Sequence, residues 1–209
     1  MKIEKLQQSS RQPERFFVTL EDGRTLGVTE KELLQFSLYQ GMELEPETVA
    51  QLERCGKRSG TRAAAARMVG RRALSRQELT RRLLEKGSRE EDAAEAADWL
   101  EEIGALDDGQ YAALLVRHLG SRGYGAPHIR QELARRGVPR ALWEQALSQL
   151  PPAQEQIQAF VQGKLRSRVP EEKEIKRLAQ ALRRRGFGWA DIRQCLREYE
   201  EYLGGEDNE

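Results

Sequence analysis

The chain has 209 residues, of which 38% are hydrophobic and 33% charged, and its 35 Lys and Arg residues nearly balance 34 Asp and Glu residues, for a formal net charge of +1. No apolar run approaches the roughly 18 residues that a membrane span needs, and the first residues lack the apolar segment and cleavage site of a secretory signal. These features predict a soluble, cytoplasmic protein that does not contact a membrane.

The first forty residues predict a small antiparallel sheet and a short helix. Residues 15–20 and 24–28 are rich in β-branched and aromatic side chains, and the Asp-Gly pair between them is typical of a hairpin. Residues 2–6 predict a third strand on the same pattern. Thr29 and Glu32 have the spacing of a capping box, which indicates that a helix begins after Thr29.

A second helix is predicted over residues 46–54, with Pro46 at an early helical position. The run that follows, residues 55–61 (CGKRSGT), has the composition of a linker and predicts a domain boundary near residue 62. Cys55 would then be a linker thiol and Cys195 a small core residue. The two thiols lie 140 residues apart, which favours neither a disulfide framework nor a metal cluster.

From about residue 63 the pattern is helical and repeats three times. Gly87, Gly137 and Gly186 each follow a basic cluster, at spacings of 50 and 49 residues. Each glycine is predicted to end a helix in the left-handed conformation, with the basic residues beside the negative end of the helix dipole. A leucine stands four residues before each of them, on the expected buried face: Leu83, Leu133 and Leu182.

The repeat predicts a mainly α fold, a tandem array of three three-helix modules that are similar to helix-turn-helix units. A small N-terminal β-hairpin and helix segment precedes the array. The predicted boundaries are 1–62 for the N-terminal extension, 63–109, 110–153 and 154–202 for modules 1, 2 and 3, and 203–209 for an acidic tail.

Charge is distributed unevenly over these segments. Residues 1–62 carry 10 basic and 10 acidic residues, and residues 63–109 carry 8 and 11. Residues 110–199 have a net charge of +9, whereas residues 200–209 contain five acidic residues and no basic one. Arginine accounts for 27 of the 35 basic residues and suits bidentate contacts with phosphate or carboxylate. The pattern indicates either a surface for a polyanion or a solvated helical surface.

The sequence carries no evident catalytic constellation. His118 and His128 lack the spacing of a zinc protease, and no glycine-rich loop ends in Lys-Ser or Lys-Thr. Asp107 and Asp108 fit a helix N-cap better than an acid and base pair. We therefore expect no enzymatic activity, no metal site and no cofactor.

The three-helix units also raise the possibility of sequence-specific DNA binding. The last helix of module 1, however, spans residues 90–102 and is strongly acidic, so phosphate would repel it. Trp99, Trp143 and Trp189 fall in the third helices or at their entries. We expect them to pack in the cores rather than to form an exposed platform for bases.

The order of the helical motifs resembles that of the bacterial recombination regulator RecX family. The likeness covers about residues 63–199 and is carried by residues 73–87 (ALSRQELTRRLLEKG), 104–112 (GALDDGQYA), 125–137 (GAPHIRQELARRG) and 182–193 (LRRRGFGWADIR). The resemblance implies an all-α array of three tandem three-helix modules, distantly similar to winged-helix units, and a non-enzymatic role. RecX-like proteins bind the RecA recombinase in the groove of its filament on single-stranded DNA, and modulate ATP hydrolysis, strand exchange and filament extension.

The basic residues of modules 2 and 3 are the candidates for the recombinase and DNA surface. The first choices are Arg130, Arg135, Arg136, Lys176, Arg177, Arg183, Arg184 and Arg185, and the second choices are Arg117 and Arg122. The expected partners are the RecA filament and, weakly and without sequence preference, single-stranded DNA, with the chain itself a monomer. The acidic helix of module 1 and the tail either contact basic recombinase surface or only solubilise the chain. A stand-alone DNA-binding protein and a purely structural helical scaffold remain the alternatives.

Overall fold

The computed structural model describes residues 1–10, 12–166 and 170–206. Its first elements are three strands, β1 (Ile3–Gln8), β2 (Arg15–Leu20) and β3 (Thr25–Thr29), which form an antiparallel sheet in the order β1-β2-β3. Gly23 turns the chain between β2 and β3 at a φ of 84°. The predicted hairpin and third strand are confirmed.

Four helices follow: α1 (Glu30–Gln35), α2 (Pro46–Arg71), α3 (Arg76–Glu85) and α4 (Glu90–Glu102). The capping box at the start of α1 is confirmed, because the Thr29 amide donates to the Glu32 carboxylate at 2.7 Å and Thr29 Oγ1 accepts from the Glu32 amide at 3.4 Å. Ser75 caps α3 through its hydroxyl, which accepts from the Glu78 amide at 3.0 Å.

The predicted linker at residues 55–61 is wrong, since α2 runs through it without interruption. Gly56 is buried where α2 crosses the sheet, and a Cβ at that position would collide with the Gly27 carbonyl oxygen. Thr61 is also buried, and its hydroxyl donates to the Lys57 carbonyl at 3.0 Å. The small residues of this run therefore allow close packing rather than flexibility, and Cys55 is a half-buried helical residue instead of a linker thiol.

The two halves of α2 serve two different cores. Val49 and Leu52 pack with the sheet, whereas Ala65 packs with α3 and α4. Fully buried side chains of the first core include Ile3, Val18, Leu20, Val28 and Leu52, and those of the second include Leu79, Leu83, Ala93 and Ala97.

The later part of the chain is helical. It contains α5 (Asp108–Ser121), α6 (Ala126–Arg135), a 3₁₀ turn (Arg140–Leu142), α7 (Trp143–Leu147), α8 (Ala153–Leu165), α9 (Glu172–Arg184) and α10 (Trp189–Glu206). One core joins α5, α6 and α7 around Val116, Ile129 and Leu133. Another joins α8, α9 and α10 around Ile157 and Leu182.

The three repeated glycines end α3, α6 and α9 as predicted. Gly87, Gly137 and Gly186 have φ values of 86°, 71° and 88°, the left-handed conformation that glycine adopts without strain. The leucines four residues before them are fully buried: Leu83, Leu133 and Leu182. The repeat in the sequence is thus a repeat of helix, left-handed turn and helix.

Contacts divide the chain into unit 1, Met1–Leu106, and unit 2, Asp107–Glu209. The boundary predicted at residue 62 falls inside α2, so the extension and the first helices after it belong to one unit. The finer division into modules at 109, 153 and 202 stays a prediction. Of the predicted acidic tail, residues 203–206 lie within the bounds of α10, and residues 207–209 lie outside the described residues. Among the described helices, none combines the length and hydropathy of a membrane span.

Candidate nucleic-acid interface

Helix α9 is the most strongly amphipathic basic element of unit 2. Its inner face buries Ile175, Leu178 and Leu182, while its outer face is exposed to solvent. Arg177 and Arg184 are exposed and have no ion-pair or hydrogen-bond partner among the residues that the structure describes. They lie seven residues apart, two helical turns, and therefore share one face of the helix. We call this pair the α9 face.

Four other predicted site residues hold carboxylates of their own chain. Arg130 binds Glu144 at 3.1 Å, and Lys176 binds Glu172 one turn earlier in α9. Arg135 and Arg136 both approach Glu132, and Arg136 also donates to the Tyr111 hydroxyl at 3.4 Å. The distances to the Glu132 carboxylate are 2.8 Å and 3.7 Å.

The pairing leaves an electrostatic signature on the carboxylates. The hydrogen bond from Arg135 holds the pKa of Glu132 below its ordinary value, against the opposing effect of partial burial. The hydrogen bond from Lys176 likewise lowers the pKa of Glu172. These carboxylates are ionised at neutral pH, so each offsets the charge of the cation beside it.

Arg185 connects modules 2 and 3 within unit 2. Its guanidinium donates to the carbonyl oxygens of Arg122 and Gly123, and its Cζ lies 4.6 Å from the centre of the Phe160 ring and 5.4 Å from that of Tyr124. The Gly125 amide donates to the Arg185 carbonyl at 2.8 Å. This arginine satisfies polar groups within the protein and is positioned to stabilise the packing of the two modules.

Arg183 is held in a different way. Its guanidinium donates to the Phe187 carbonyl at 3.2 Å, and its Cζ lies 5.3 Å from the centre of the Trp189 ring. Three consecutive residues on a helix are spread over about 200°. Arg183, Arg184 and Arg185 therefore face three different surroundings, although they are adjacent in the sequence.

Arg117 and Arg122 are exposed, and neither guanidinium has a polar partner among the described residues. Both line a cavity of about 630 Å³ in unit 2, beside Phe160. The predicted site residues thus include cations paired with carboxylates, cations that bind groups of their own fold, and available cations, which have no partner for their guanidinium among the described residues. The available cations are Arg117, Arg122, Arg177 and Arg184.

The tryptophans divide into two kinds. Trp99 and Trp143 are half-buried against the cores of their modules, as predicted, and the Trp143 indole donates to the Val138 carbonyl at 2.9 Å. For Trp189 the core prediction is wrong, because 49% of its surface is exposed. It is the first residue of α10, and the residues that this helix buries begin at Ile192.

The acidic helix α4 is partly paired within unit 1. Glu95 binds Arg58 and Arg62, and Arg76 binds both Asp98 and Glu101. Its surface is therefore less negative than its sequence indicates.

Groups that could have carried chemistry have structural roles. The N-cap predicted at Asp107 is confirmed, because its carboxylate accepts from the Gly109 and Gln110 amides at 2.8 and 2.9 Å. His128 stacks on Tyr124 with 4.4 Å between ring centres. In the described part of the chain, no three His, Cys, Asp or Glu side chains are grouped as metal ligands would be.

The relatives of this chain point to one family. A family model described as the second three-helix domain of RecX matches residues 107–147. Regulatory protein RecX from Stenotrophomonas maltophilia is 34% identical over 132 residues, which cover 62% of this chain and 81% of that protein. The chain belongs to the RecX family. Regulatory protein RecX from Pseudomonas putida is 40% identical over 86 residues, so the chain spans about three fifths (61%) of that relative's length.

Solved RecX structures share the fold. One, described as the crystal structure of regulatory protein RecX, matches 94% of this chain and 98% of its own with a TM-score of 0.69 at 22% identity. RecX from Lactobacillus salivarius matches 69% of this chain and 97% of its own with a TM-score of 0.59 at 21% identity. The RecX relatives are named regulatory proteins, and no catalytic activity is indicated by those names.

Proposed function

We propose that the chain is a regulatory protein that binds the RecA recombinase and its filament on single-stranded DNA, in the cytoplasm and without enzymatic activity of its own. In this role it modulates, mainly by inhibition, the ATP hydrolysis, strand exchange and filament growth of the recombinase. Membership of the RecX family supports the regulatory role. The observation that carries the DNA contact is the α9 face, two exposed arginines without carboxylate partners in a segment of net charge +9.

The α9 face suits a phosphate backbone. Arg177 and Arg184 stand about 10 Å apart along the helix axis, at 1.5 Å per residue. Each guanidinium offers planar donors that match phosphate oxygens, and each phosphate contact releases counterions from the nucleic acid. Two such contacts alone give weak, sequence-independent binding. A regulator of this kind would bind tightly only where protein contacts in the filament add to them.

The test is RecA ATPase activity on single-stranded DNA, measured with increasing amounts of the protein. We expect the full chain to inhibit, and R177A/R184A to need several-fold more protein for half-inhibition. The matched control is R81A/R89A, because Arg81 and Arg89 are exposed but ion-paired with Glu85 and Glu91. Equal inhibition by both double variants would show that the α9 face is not used, and no effect of the full chain would refute the proposal.

The second candidate is a stand-alone DNA-binding protein, which the helix-turn-helix-like modules favour. A reader of DNA sequence presents base-contacting side chains on the last helix of a module. Helix α4 instead has seven acidic residues and no basic one. A footprint on double-stranded DNA distinguishes the two candidates: protection of a defined sequence without RecA supports the second, and filament-dependent binding without sequence preference supports the first.

A further inference from the structure

Trp189 is exposed to solvent, although the helix that it begins packs into a hydrophobic core. It begins α10, whose buried face starts three residues later at Ile192, and 49% of its surface meets solvent. Trp99 and Trp143 pack against the cores of their modules. Among the described residues of unit 2, the exposed large apolar side chains are Trp189 and Leu114 on α5. Two such side chains are fewer than a broad apolar patch for a protein partner needs.

The indole has a fixed cation beside it. The Arg183 guanidinium is anchored by its hydrogen bond to the Phe187 carbonyl and lies 5.3 Å from the ring centre. This contact uses the π surface on one side, in the manner of a cation–π pair. The exposed half of the indole remains available to a second flat group.

One further cation is a neighbour of the exposed indole on α10. Arg193 follows Trp189 by four residues on α10, so the two side chains are neighbours on the same face. Arg193 is exposed and has no carboxylate partner among the described residues. Asp191, the acidic residue of this first turn, is two residues from Trp189 and thus about 200° around the helix.

We propose that Trp189 stacks on an unpaired nucleobase of a single-stranded nucleic acid, with Arg183 holding the indole and Arg193 contacting a flanking phosphate. Every base has a π face, so such a site binds without sequence preference. Double-stranded DNA keeps its bases stacked internally and does not offer this group. The proposal rests on the single-stranded DNA binding in the proposed function and adds the base itself as a ligand.

The experiment measures binding of the full chain to a fluorescently labelled dT20 oligonucleotide by anisotropy. W189A is expected to lose about tenfold in affinity and W189F about threefold, because phenylalanine retains part of the stacking surface. The salt dependence of binding should be the same in W189A as in the unaltered chain, since the phosphate contacts remain. The control is L114A, which removes the other exposed apolar side chain of unit 2 and should bind normally.

A second arm varies the ligand instead of the protein. An abasic oligonucleotide of the same length keeps every phosphate and removes every base. The unaltered chain should bind it about as weakly as W189A binds dT20. Quenching of intrinsic fluorescence by unlabelled dT20 should occur in the unaltered chain and be lost in W189F, where Trp99 and Trp143 remain as reporters.

The outcomes separate this inference from the proposed function. If W189A binds dT20 like the unaltered chain, if the abasic strand binds equally well, or if dT20 does not bind, the inference is overturned. If Trp189 fluorescence responds to RecA filaments but not to dT20, the indole contacts protein and the inference is likewise overturned. If base-dependent binding through Trp189 is found while RecA ATPase activity is unaffected, the inference holds and the proposed function fails.

Discussion

The arginines around Glu78 and Glu95 in unit 1 and those of the α9 face in unit 2 differ in what they bind. In unit 1, Glu78 forms ion pairs with Arg72 and Arg82, and Glu95 forms ion pairs with Arg58 and Arg62. In unit 2, the arginines of the α9 face have no such partner among the described residues. The difference shows that a count of charges does not give the charge that a ligand meets. Pairing within the chain decides it.

The two units also differ in the space around the repeated glycine. Gly87 in unit 1 and Gly186 in unit 2 both end a helix with positive φ. A Cβ added to Gly87 would meet open space, whereas one added to Gly186 would lie 2.8 Å from both the amide nitrogen and Cβ of His128. Gly87 is needed only for its left-handed conformation. Gly186 is needed also because His128 of module 2 packs against it.

The largest expected effect compares these two positions. G87A should lower the free energy of unfolding by about 1 kcal/mol, the cost of a left-handed conformation for alanine. G186A should lower it by about 3 kcal/mol, because steric overlap with His128 adds to that cost. Urea denaturation followed by circular dichroism measures both. Equal losses would mean that modules 2 and 3 separate at this contact without cost.

Arg185 and Arg184 offer the next comparison. R185A should cost about 1.5 kcal/mol of stability, because it leaves carbonyls of residues 122 and 123 without their charged donor and removes two aromatic contacts. R184A should cost less than about 0.5 kcal/mol, as is usual for exposed positions. The affinity for single-stranded DNA should fall more in R184A than in R185A, with both variants measured at low urea, where they are folded. The reverse order in either assay would contradict the roles assigned to these neighbours.

Salt dependence sharpens the difference between paired and available cations. A plot of log affinity for single-stranded DNA against log salt concentration has a negative slope. The magnitude of that slope should decrease by about 1.4 in R177A/R184A, at about 0.7 per phosphate contact. In R81A/R89A it should not change. Anisotropy titrations at several salt concentrations give both slopes, and identical slopes would show that pairing does not matter for binding.

The smallest effect comes from removing one carboxylate that two arginines share. E132Q removes the carboxylate that Arg135 and Arg136 share, so single-stranded DNA affinity should rise about twofold, in line with the small strength of exposed ion pairs. Gln imitates protonated Glu132, a form already rare at neutral pH for a glutamate and made rarer by the hydrogen bond from Arg135, which lowers the pKa of Glu132. Unchanged or weaker binding would place these two arginines away from the nucleic acid.

Local sequence signals predicted local structure correctly. The Thr29 and Glu32 capping box, the Asp-Gly hairpin and the repeated glycines all depend on residues within a few positions of one another. The continuity of α2 could not be predicted in this way. Gly56 is held in a helix by a close contact with Gly27, 29 residues earlier, and local composition alone resembles a linker.

The candidate site shows the same limit. Arginine content located the basic segment, and the angular spread of residues 183–185 on a helix indicates that they cannot share one role. The partners of Arg185 at residues 122–124 and 160, and the exposure of Trp189, depend on tertiary packing. No pattern within the sequence of α9 or α10 reports them.

The unbroken course of α2 has a mechanical consequence. At 1.5 Å per residue its 26 residues form a rod of about 39 Å, anchored in the sheet core at Val49 and Leu52 and in the α3–α4 core at Ala65. A helix transmits force along its axis without a joint. A force applied to the sheet is therefore transmitted directly to α3 and α4. A fragment that begins at residue 63 would divide α2 between its contacts with the two cores.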